Sequence, residues 1–265
     1  MPYGGCVWLG CLPGLLTQLG FEEGPIRVSL QRLVAEGWLI SHAEGRKRDL
    51  RNAGEHLAET RRVQALIYTD VAPRWDGTWL MLQVAPKSAA AREAIRRAIQ
   101  QNGFATLSPN IYVHPHAKWS DVSKAQAIAP HLTEITAAFE ARELSGQTNL
   151  ASLWDTDAIA ARWHDIDRLI DIAGQARTPQ DAFGCQILLV HAVRRLVLAY
   201  PSLPAVHIPA DWPESRVRHR LSRVYGELSG KAHQFLRDNL LLSNGQQPSW
   251  QGYDPARFGQ VGPIA

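Results

Sequence analysis

The stretch from Gly24 to Arg51 constrains the fold of this chain most, because a helix-like hydrophobic pattern changes inside it to a strand-like one. Its first half has apolar residues at the i, i+4, i+7 and i+8 spacing of one buried helix face, namely Ile26, Leu30, Leu33 and Val34. Pro25 suits a first helical turn, and Gly37 suits a left-handed C-cap. The pattern therefore predicts a helix that stops at Gly37.

A short apolar strand and a basic hairpin tip follow this glycine. The segment WLISH is apolar and is bounded by the turn-forming segment EGRK. The tip carries three cationic side chains, those of Arg46, Lys47 and Arg48. A helix followed by a hairpin with a cationic tip is the plan of a winged helix-turn-helix, in which the helix reads base edges and the tip contacts phosphates.

The polar side chains of the predicted helix suit this use. Arg27 and Arg32 can make bidentate contacts with guanine. Gln31 suits adenine, and Ser29 can reach a phosphate or a base. The three tip residues would add sequence-independent affinity through counterion release. The alternative is a solvated surface, since basic residues on exposed helices and hairpins often have no other role.

The net charge of the whole chain is too small to attract nucleic acid by itself. The 265 residues carry a formal net charge of +3, and 45% hydrophobic with 20% charged residues is ordinary for a globular protein. Any affinity for DNA must therefore come from local patches. Glycines and prolines interrupt the apolar N-terminal segment, so the sequence predicts no signal peptide and no membrane span, and the expected location is the cytoplasm.

Residues that cap helices and residues that break them divide the chain. The first unit, residues 1–62, is predicted to end in a helix that Asn52 opens, with Glu55 in the capping-box position. Residues 63–77 are predicted to be a linker, since Pro73 and the Asp-Gly pair at its end favour irregular structure.

The two following segments differ in their hydrophobic period. Residues 78–150 alternate between strand and helix patterns in the order β-α-β-β-α-β, which is typical of a ferredoxin-like fold with both helices on one face of an antiparallel sheet. Residues 151–240 show amphipathic helix patterns and predict an all-α domain, and residues 241–265 read as a loose tail. The predicted class is therefore a multidomain α+β protein.

Five segments carry a resemblance to a known family. They are GGCVWLG, IRVSLQRLVAEGWL, PRWDGTW, SPNIYVHP and IPADWP, and the similarity extends from Gly4 to about Leu240. In order and spacing they resemble the PaaX-type family of phenylacetate-pathway repressors. The resemblance implies an N-terminal winged helix that binds operator DNA, a central domain similar to the Cas2 ferredoxin-like fold, and a helical C-terminal domain. It also implies a repressor of an aromatic-acid catabolic operon that an aryl-CoA thioester such as phenylacetyl-CoA releases from DNA.

The resemblance implies a difference at the N-terminus. Relatives usually carry the first helix of the winged-helix core before the equivalent of GGCVWLG, whereas this sequence starts three residues ahead of that segment. The winged helix of residues 1–62 is therefore expected to lack its first helix. Either another surface, such as a partner chain, covers the apolar side of Ile26, Leu30 and Leu33, or the start codon is assigned too late.

A homodimer on double-stranded operator DNA is expected, because operator symmetry generally mirrors protein symmetry. Its contacts are predicted in the two C-terminal segments, where long helices have apolar faces to spare. Two other functions stay open. One is an interaction or scaffold protein with a shortened winged helix and no operator binding. The other is a Cas2-like nuclease, which is disfavoured because the first central strand ends in Ala85 and Pro86, where such nucleases are thought to hold a metal through an aspartate.

One basic cluster lies outside the predicted DNA-binding unit. His191, Arg194 and Arg195 are spaced i, i+3 and i+4 on one face of an otherwise apolar helix. Either acidic neighbours pair with them, or they face an anionic ligand such as an acyl-CoA. Trp212 would then offer an apolar wall to the acyl group. These four residues are the candidate effector site.

No catalytic site, cofactor or metal site is predicted, and the protein is not expected to be an enzyme. The sequence has no G-x-S-x-G, no H-E-x-x-H and no G-x-G-x-x-G after a strand. Its three cysteines lack metal-ligand spacing and are expected to be buried as small apolar side chains, at Cys6, Cys11 and Cys185. His114 and His116 flank a proline at a strand end, which favours polar caps over metal ligands.

Overall fold

The structure is a computed structural model of the chain. It describes residues 5–54, 57–69, 72, 74–85, 88–100, 102–120, 122, 134–143, 149–248 and 258. Contacts between residues divide the chain into two compact units. The first contains the described residues of 1–70, 167–191 and 219–262, and the second contains those of 71–166 and 192–218.

The first unit is built on a small antiparallel sheet. Its strands are β1 (Cys6–Trp8), β2 (Leu39–Glu44) and β3 (Lys47–Asn52), in the order β1-β3-β2. Three helices accompany them, α1 (Leu12–Thr17), α2 (Glu23–Ala35) and α3 (Leu57–Tyr68). The central strand carries the buried Leu50, which pairs with Val7 on one side and Ser41 on the other.

The predicted start of α3 is wrong. Asn52 is the last residue of β3 and pairs with Leu39, so the sheet and not a helix cap holds it. The helix begins at Leu57, and the side chain of Glu55 lies outside the described residues. The helix also continues past residue 62 to Tyr68, because its last turn buries apolar side chains in the unit.

Three long helices follow in the C-terminal part of the chain, α5 (Thr156–Ala173), α6 (Pro179–Ala199) and α7 (Pro213–Asn239). Within the first unit, Phe183 of α6 stacks on Phe235 of α7 with ring centroids 5.0 Å apart. The buried side chain of Gln186 donates to the hydroxyl of Ser229 at 2.8 Å. The C-terminal helices thus add buried aromatic and polar contacts to the unit that contains the N-terminal sheet.

The segment after α7 docks on that sheet. The carbonyl oxygen of Leu241 accepts from the backbone N–H of Trp8 at 3.0 Å and from the thiol of Cys11 at 3.6 Å. Ser243 donates to the carboxylate of Asp49 twice, from its backbone N–H at 2.9 Å and from its hydroxyl at 2.8 Å. The prediction of a loose tail is therefore wrong here, because these residues satisfy polar groups of β1 and β3.

Phe258, which lies in the predicted tail, also packs against the first unit. It is buried, with ring centroids 5.0 Å from Tyr68 and 4.9 Å from Tyr225. The other residues of 249–265 lie outside the part of the chain that the structure describes. An aromatic side chain that buries its surface among two others contributes to the stability of the first unit.

The second unit contains a four-stranded antiparallel sheet in the order β5-β6-β4-β7. The strands are β4 (Trp79–Val84), β5 (Ala105–Ser108), β6 (Ile111–His114) and β7 (Ile135–Ala141), and α4 (Ala89–Gln100) connects the first two. This order and sense are those of the predicted ferredoxin-like fold. The predicted second helix, within residues 120–130, falls almost entirely outside the described residues.

The two faces of this sheet bury different side chains. One face packs against Ile95 and Ile99 of α4, which lie four residues apart on one side of the helix. The other face carries Trp79, which stacks on Trp154 with ring centroids 6.1 Å apart. The indole N–H of Trp154 donates to the carbonyl of Gly103 at 3.0 Å, so the helical segment is tied to the loop after α4.

The contact between Asp49 and Ser243 gives a graded test of stability. Ser243→Ala should lower the free energy of unfolding by about 1 kcal/mol, because one hydrogen bond is lost. Asp49→Ala should lower it by about 2–3 kcal/mol, because the buried N–H of Ser243 also loses its acceptor. Urea unfolding followed by circular dichroism measures both values. Equal losses in the two variants would contradict this account of the contact.

Candidate nucleic-acid interface

α2 ends in the glycine turn that the sequence predicts. Gly37 has a φ of 77°, and its N–H donates to the carbonyl of Val34 at 3.1 Å. The N–H of Trp38 donates to the carbonyl of Leu33 at 2.9 Å. These two bonds and the positive φ are the Schellman arrangement, so the predicted C-cap is confirmed. The turn leads the chain directly from α2 into β2.

The hairpin of β2 and β3 presents the predicted cationic tip. Gly45 has a φ of 62°, which allows the chain to reverse between the paired residues Glu44 and Lys47. Arg46 lies in this turn, whereas Lys47 and Arg48 are the first two residues of β3. All three cationic residues of the tip are exposed.

Two contacts fix the tip side chains against the sheet. The ammonium of Lys47 lies over the ring of Trp8, 4.9 Å from its centroid. Such cation–π contacts contribute about 0.5–1 kcal/mol at exposed sites. The guanidinium of Arg48 donates to the hydroxyl of Ser41 on the neighbouring strand at 3.3 Å. Both cations therefore keep a defined position while their charge faces solvent.

A cavity of about 700 Å³ lies between α2 and the hairpin, and we call it the α2–hairpin cavity. Five of the seven predicted DNA contacts line it, Arg27, Gln31, Arg46, Lys47 and Arg48. Apolar side chains from both elements complete the lining, among them Trp8, Leu30, Val34 and Leu50. The cavity thus places four cations, one amide and the carboxylate of Glu23 around a single concave surface, a set that can contact phosphates and a base edge.

The other two predicted contacts lie elsewhere on α2. Ser29 and Arg32 are exposed but do not line this cavity. The guanidinium of Arg32 pairs with Glu36 at 3.4 Å. The seven residues therefore form two groups, five around the cavity and two on another side of the helix.

Both arginines of α2 have an exposed carboxylate partner, so the positive charge of this interface comes mainly from the hairpin tip. Arg27 pairs with Glu23 at 2.5 Å, and both side chains are more than half exposed. An exposed ion pair of this kind contributes about 1 kcal/mol or less. The guanidinium of Arg27 can therefore exchange its carboxylate partner for a phosphate or a guanine at small cost.

The apolar side of α2 is only partly covered by the described residues. Ile26 is buried, with 5% of its surface exposed. Leu30, Leu33 and Val34 are half-buried. Leu30 and Val34 open onto the α2–hairpin cavity, which explains their incomplete burial.

The candidate effector residues are placed differently from the prediction. His191, Arg194 and Arg195 are exposed on α6, as are the neighbouring Ile187 and Leu188. Because water solvates exposed cations, these three need neither acidic partners nor a ligand for stability, and their role in effector binding stays a prediction. By length and composition alone, α6 could cross a membrane. One such helix is weak evidence for a membrane span, because a core helix of a soluble protein passes the same test.

Trp212 is half-buried, and its indole N–H is buried without an acceptor in the part of the chain that the structure describes. A buried donor without an acceptor costs about 1–3 kcal/mol. Neither the α2–hairpin cavity nor a second cavity, beside β7, includes Trp212 or the three basic residues of α6. The structure therefore does not gather the four candidate effector residues around either of these cavities.

The remaining candidate ligands have structural roles. The ring nitrogen Nδ1 of His114 accepts from the backbone N–H groups of His116 at 2.9 Å and Ala117 at 2.7 Å, which confirms the predicted polar cap. Burial lowers the pKa of His116. Among the described residues, no group of three or more His, Cys, Asp or Glu side chains could hold a metal ion.

The three cysteines are free thiols, at Cys6, Cys11 and Cys185. All three are half-buried, so the prediction that they are buried is wrong. Burial raises the pKa of the Cys11 and Cys185 thiols. Thiols with raised pKa values react slowly at neutral pH, which agrees with a packing role.

Comparison with known proteins covers nearly the whole chain. The PaaX-like protein family matches residues 1–51, its central Cas2-like domain matches residues 72–152, and its C-terminal domain matches residues 154–238. The chain belongs to the PaaX family. It is 31% identical over 271 residues to the transcriptional repressor PaaX of Escherichia coli (strain K12), which covers 97% of this chain and 85% of that protein. The prediction of a non-enzymatic regulator family is confirmed by this relative.

One solved structure has a similar fold. The uncharacterized protein Rv0674 from Mycobacterium tuberculosis superposes with a TM-score of 0.53 over 86% of this chain and 91% of that chain. The two sequences are 23% identical. This likeness concerns the fold alone.

Gly24 in α2 and Gly37 in the turn after it provide a matched test of the turn that connects α2 to the hairpin. A Cβ would meet nothing within 4 Å at Gly24 or at Gly37, but only Gly37 has a positive φ. Gly37→Ala should lower the free energy of unfolding by about 1 kcal/mol, because alanine is strained in this conformation. Gly24→Ala should raise it by about 0.5 kcal/mol through helix propensity. Urea titrations that showed changes of the same sign would contradict the cap assignment.

Proposed function

We propose that this protein is a ligand-responsive transcriptional repressor of an aromatic-acid catabolic operon of the phenylacetate type. Its membership of the PaaX family supports a repressor, since the relative in Escherichia coli is one. It acts in the cytoplasm as a homodimer bound to double-stranded operator DNA. An aryl-CoA thioester such as phenylacetyl-CoA releases it from the DNA.

The observation that carries this proposal is the convergence of cations on the α2–hairpin cavity. We assign a winged-helix mode of binding to it, in which α2 enters the major groove and the hairpin tip lies over the sugar–phosphate backbone. Arg46, Lys47 and Arg48 contact phosphates and release counterions. Arg27 and Gln31 face the same concave surface and are placed to contact base edges.

The effector is proposed on chemical grounds. An aryl-CoA combines several negative charges with an apolar acyl end, so it needs cations for its phosphates and an apolar side chain for its acyl group. Arg194 and Arg195 are exposed and bind its phosphates without a desolvation penalty for a buried charge. Trp212, which is half-buried, offers an apolar wall to the acyl group.

Release from DNA then follows from linkage. The effector must bind the DNA-free conformation more tightly than the DNA-bound one, and the same coupling free energy must weaken DNA binding when the effector is bound. A coupling of about 1–3 kcal/mol changes operator affinity about 5- to 150-fold.

A gel-shift experiment tests the function as a whole. The full chain is titrated against the region upstream of its own gene and against random DNA of equal length, at one fixed salt concentration. Specific retention that phenylacetyl-CoA reverses and free CoA does not reverse is the expected result. Equal retention of both DNAs, or none, would favour a scaffold protein without operator binding.

Removal of the hairpin cations should weaken binding to DNA of any base sequence. The triple variant Arg46→Ala, Lys47→Ala and Arg48→Ala should lose affinity equally for specific and random DNA. The slope of log affinity against log salt should flatten by about 0.9 per lost phosphate contact. Fluorescence anisotropy over a salt series measures the slope. The variant Arg96→Ala with Arg97→Ala, which removes exposed cations from α4, is the matched control and should keep the wild-type slope.

The effector assignment has a separate test. Arg194→Ala together with Arg195→Ala should leave operator binding intact and abolish its reversal by phenylacetyl-CoA, because the thioester loses two phosphate contacts. Titration calorimetry on the folded double variant checks the binding step directly. Undiminished binding of the thioester would place its site elsewhere in the protein.

A further inference from the structure

The α2–hairpin cavity has an apolar interior that the proposed contacts with DNA do not use. Proteins bind DNA mainly through phosphates and base edges, which require cationic and hydrogen-bonding side chains. The volume of about 700 Å³ lies in the usual range of sites for small organic ligands. The interior therefore suits a second kind of ligand. Seven of the lining residues are apolar, namely Trp8, Leu9, Pro13, Leu30, Val34, Ala35 and Leu50.

Both α2 and the small sheet contribute apolar walls to this cavity. On α2, Leu30 and Val34 are four residues apart and so share one side of the helix. On β3, Leu50 is buried, with 3% of its surface exposed. The ring of Trp8 lies against Gly10, where a Cβ would approach the ring to 2.4 Å. Six of the seven apolar residues are aliphatic, so the walls suit an alkyl chain.

The cations of the hairpin complement an anion at the mouth of the cavity. The ammonium of Lys47 lies 4.9 Å from the centroid of the Trp8 ring, and Arg48 donates to the hydroxyl of Ser41 at 3.3 Å. Both of these partners are uncharged. In the part of the chain that the structure describes, neither cation has a carboxylate within ion-pair distance. A ligand carboxylate would therefore make charge-assisted bonds to both.

We propose that the α2–hairpin cavity binds an unesterified alkyl carboxylate, with a chain of about eight to ten carbons that fits a site of this volume. The chain lies against Leu30, Val34 and Leu50, and its burial supplies most of the affinity. The carboxylate lies at Lys47 and Arg48, which select an anion over a neutral compound of the same length. This ligand differs from the proposed aryl-CoA effector in its chain, its head group and its site.

Occupation of the cavity opposes the proposed binding of DNA. The carboxylate takes two cations that are proposed to contact phosphates, so one anion excludes the other. Because the two ligands exclude each other, each raises the apparent dissociation constant of the other. This consequence rests on the proposed function, whereas binding of the carboxylate does not. Binding is therefore measured without DNA, and displacement of DNA is measured separately.

A series of chain lengths tests the apolar interior. Hexanoate, octanoate and decanoate are titrated into the full chain in a calorimeter, and one molecule should bind per chain. The affinity should rise about three- to fourfold with each added CH₂ group, because each group buries further apolar surface. Octan-1-ol has the same number of carbons as octanoate without its charge and should bind at least about tenfold more weakly. Equal affinities along the series, or equal affinities for the acid and the alcohol, would overturn the proposal.

A matched pair of variants on α2 tests the location of the site. Val34→Glu places a carboxylate inside the cavity and should weaken octanoate binding at least about tenfold, because the chain would then meet a charge. Val28→Glu makes the same change on α2 at a residue that is 65% exposed and does not line the cavity. It should leave the affinity unchanged. Circular dichroism checks that both variants are folded.

A change at the mouth gives a second test that leaves the interior intact. Lys47→Gln, an exposed change, should weaken octanoate binding about tenfold and leave the binding of octan-1-ol unchanged. Lys118→Gln, which removes an exposed lysine of the second unit, is the control and should have no effect on either ligand. Octanoate binding that neither Val34→Glu nor Lys47→Gln weakens would overturn the proposal. Binding of octanoyl-CoA without binding of octanoate would also overturn it.

Displacement of DNA is followed by the fluorescence anisotropy of a labelled duplex of random sequence. At about ten times its own dissociation constant, octanoate should raise the apparent dissociation constant for DNA about tenfold. Val34→Glu should remove this effect of octanoate, and Val28→Glu should keep it. Octanoate that binds with the expected variant pattern but displaces no DNA would support the ligand site and contradict the proposed placement of DNA.

Discussion

The buried contact between Asp49 and Ser243 is the interaction on which the candidate DNA-binding face depends. Asp49 lies on β3, directly after Arg48, and only 4% of its surface is exposed. A carboxylate that is removed from water is unfavourable unless donors replace its hydration, and both donors come from a residue 194 positions away. The strand that presents Lys47 and Arg48 therefore needs the segment after α7. The segment after α7 therefore helps to hold β3, and with it the cationic tip, in place.

Electrostatics and shape act together at the α2–hairpin cavity. The cations differ in how firmly they are held, since Lys47 rests on Trp8 and Arg48 is bonded to Ser41, whereas Arg27 holds only an exposed carboxylate. Held cations position a protein on the phosphate backbone, and a side chain that exchanges partners easily can read a base. In the proposed mode of binding, the hairpin therefore supplies affinity and α2 supplies specificity.

Local patterns were sufficient to predict the elements but not the contacts between distant segments. The spacing around Ile26 and the position of Gly37 predicted α2 and its cap, because both depend on a few neighbouring residues. No local signal links Asp49 to Ser243, so the sequence alone predicts a loose tail there. The periodicity of α6 does not tell which face of an apolar helix meets solvent, and Leu188 near its basic residues is 52% exposed.

The central claim is that α2 and the hairpin of a symmetric dimer bind a specific operator. Hydroxyl-radical footprinting of the full chain on the region upstream of its gene measures this most directly. The account predicts two protected segments related by a twofold axis, with centres about 34 Å apart or a multiple of that distance, on one side of the duplex. Protection that is continuous and independent of sequence, or no protection at concentrations where the folded protein is dimeric, would contradict it.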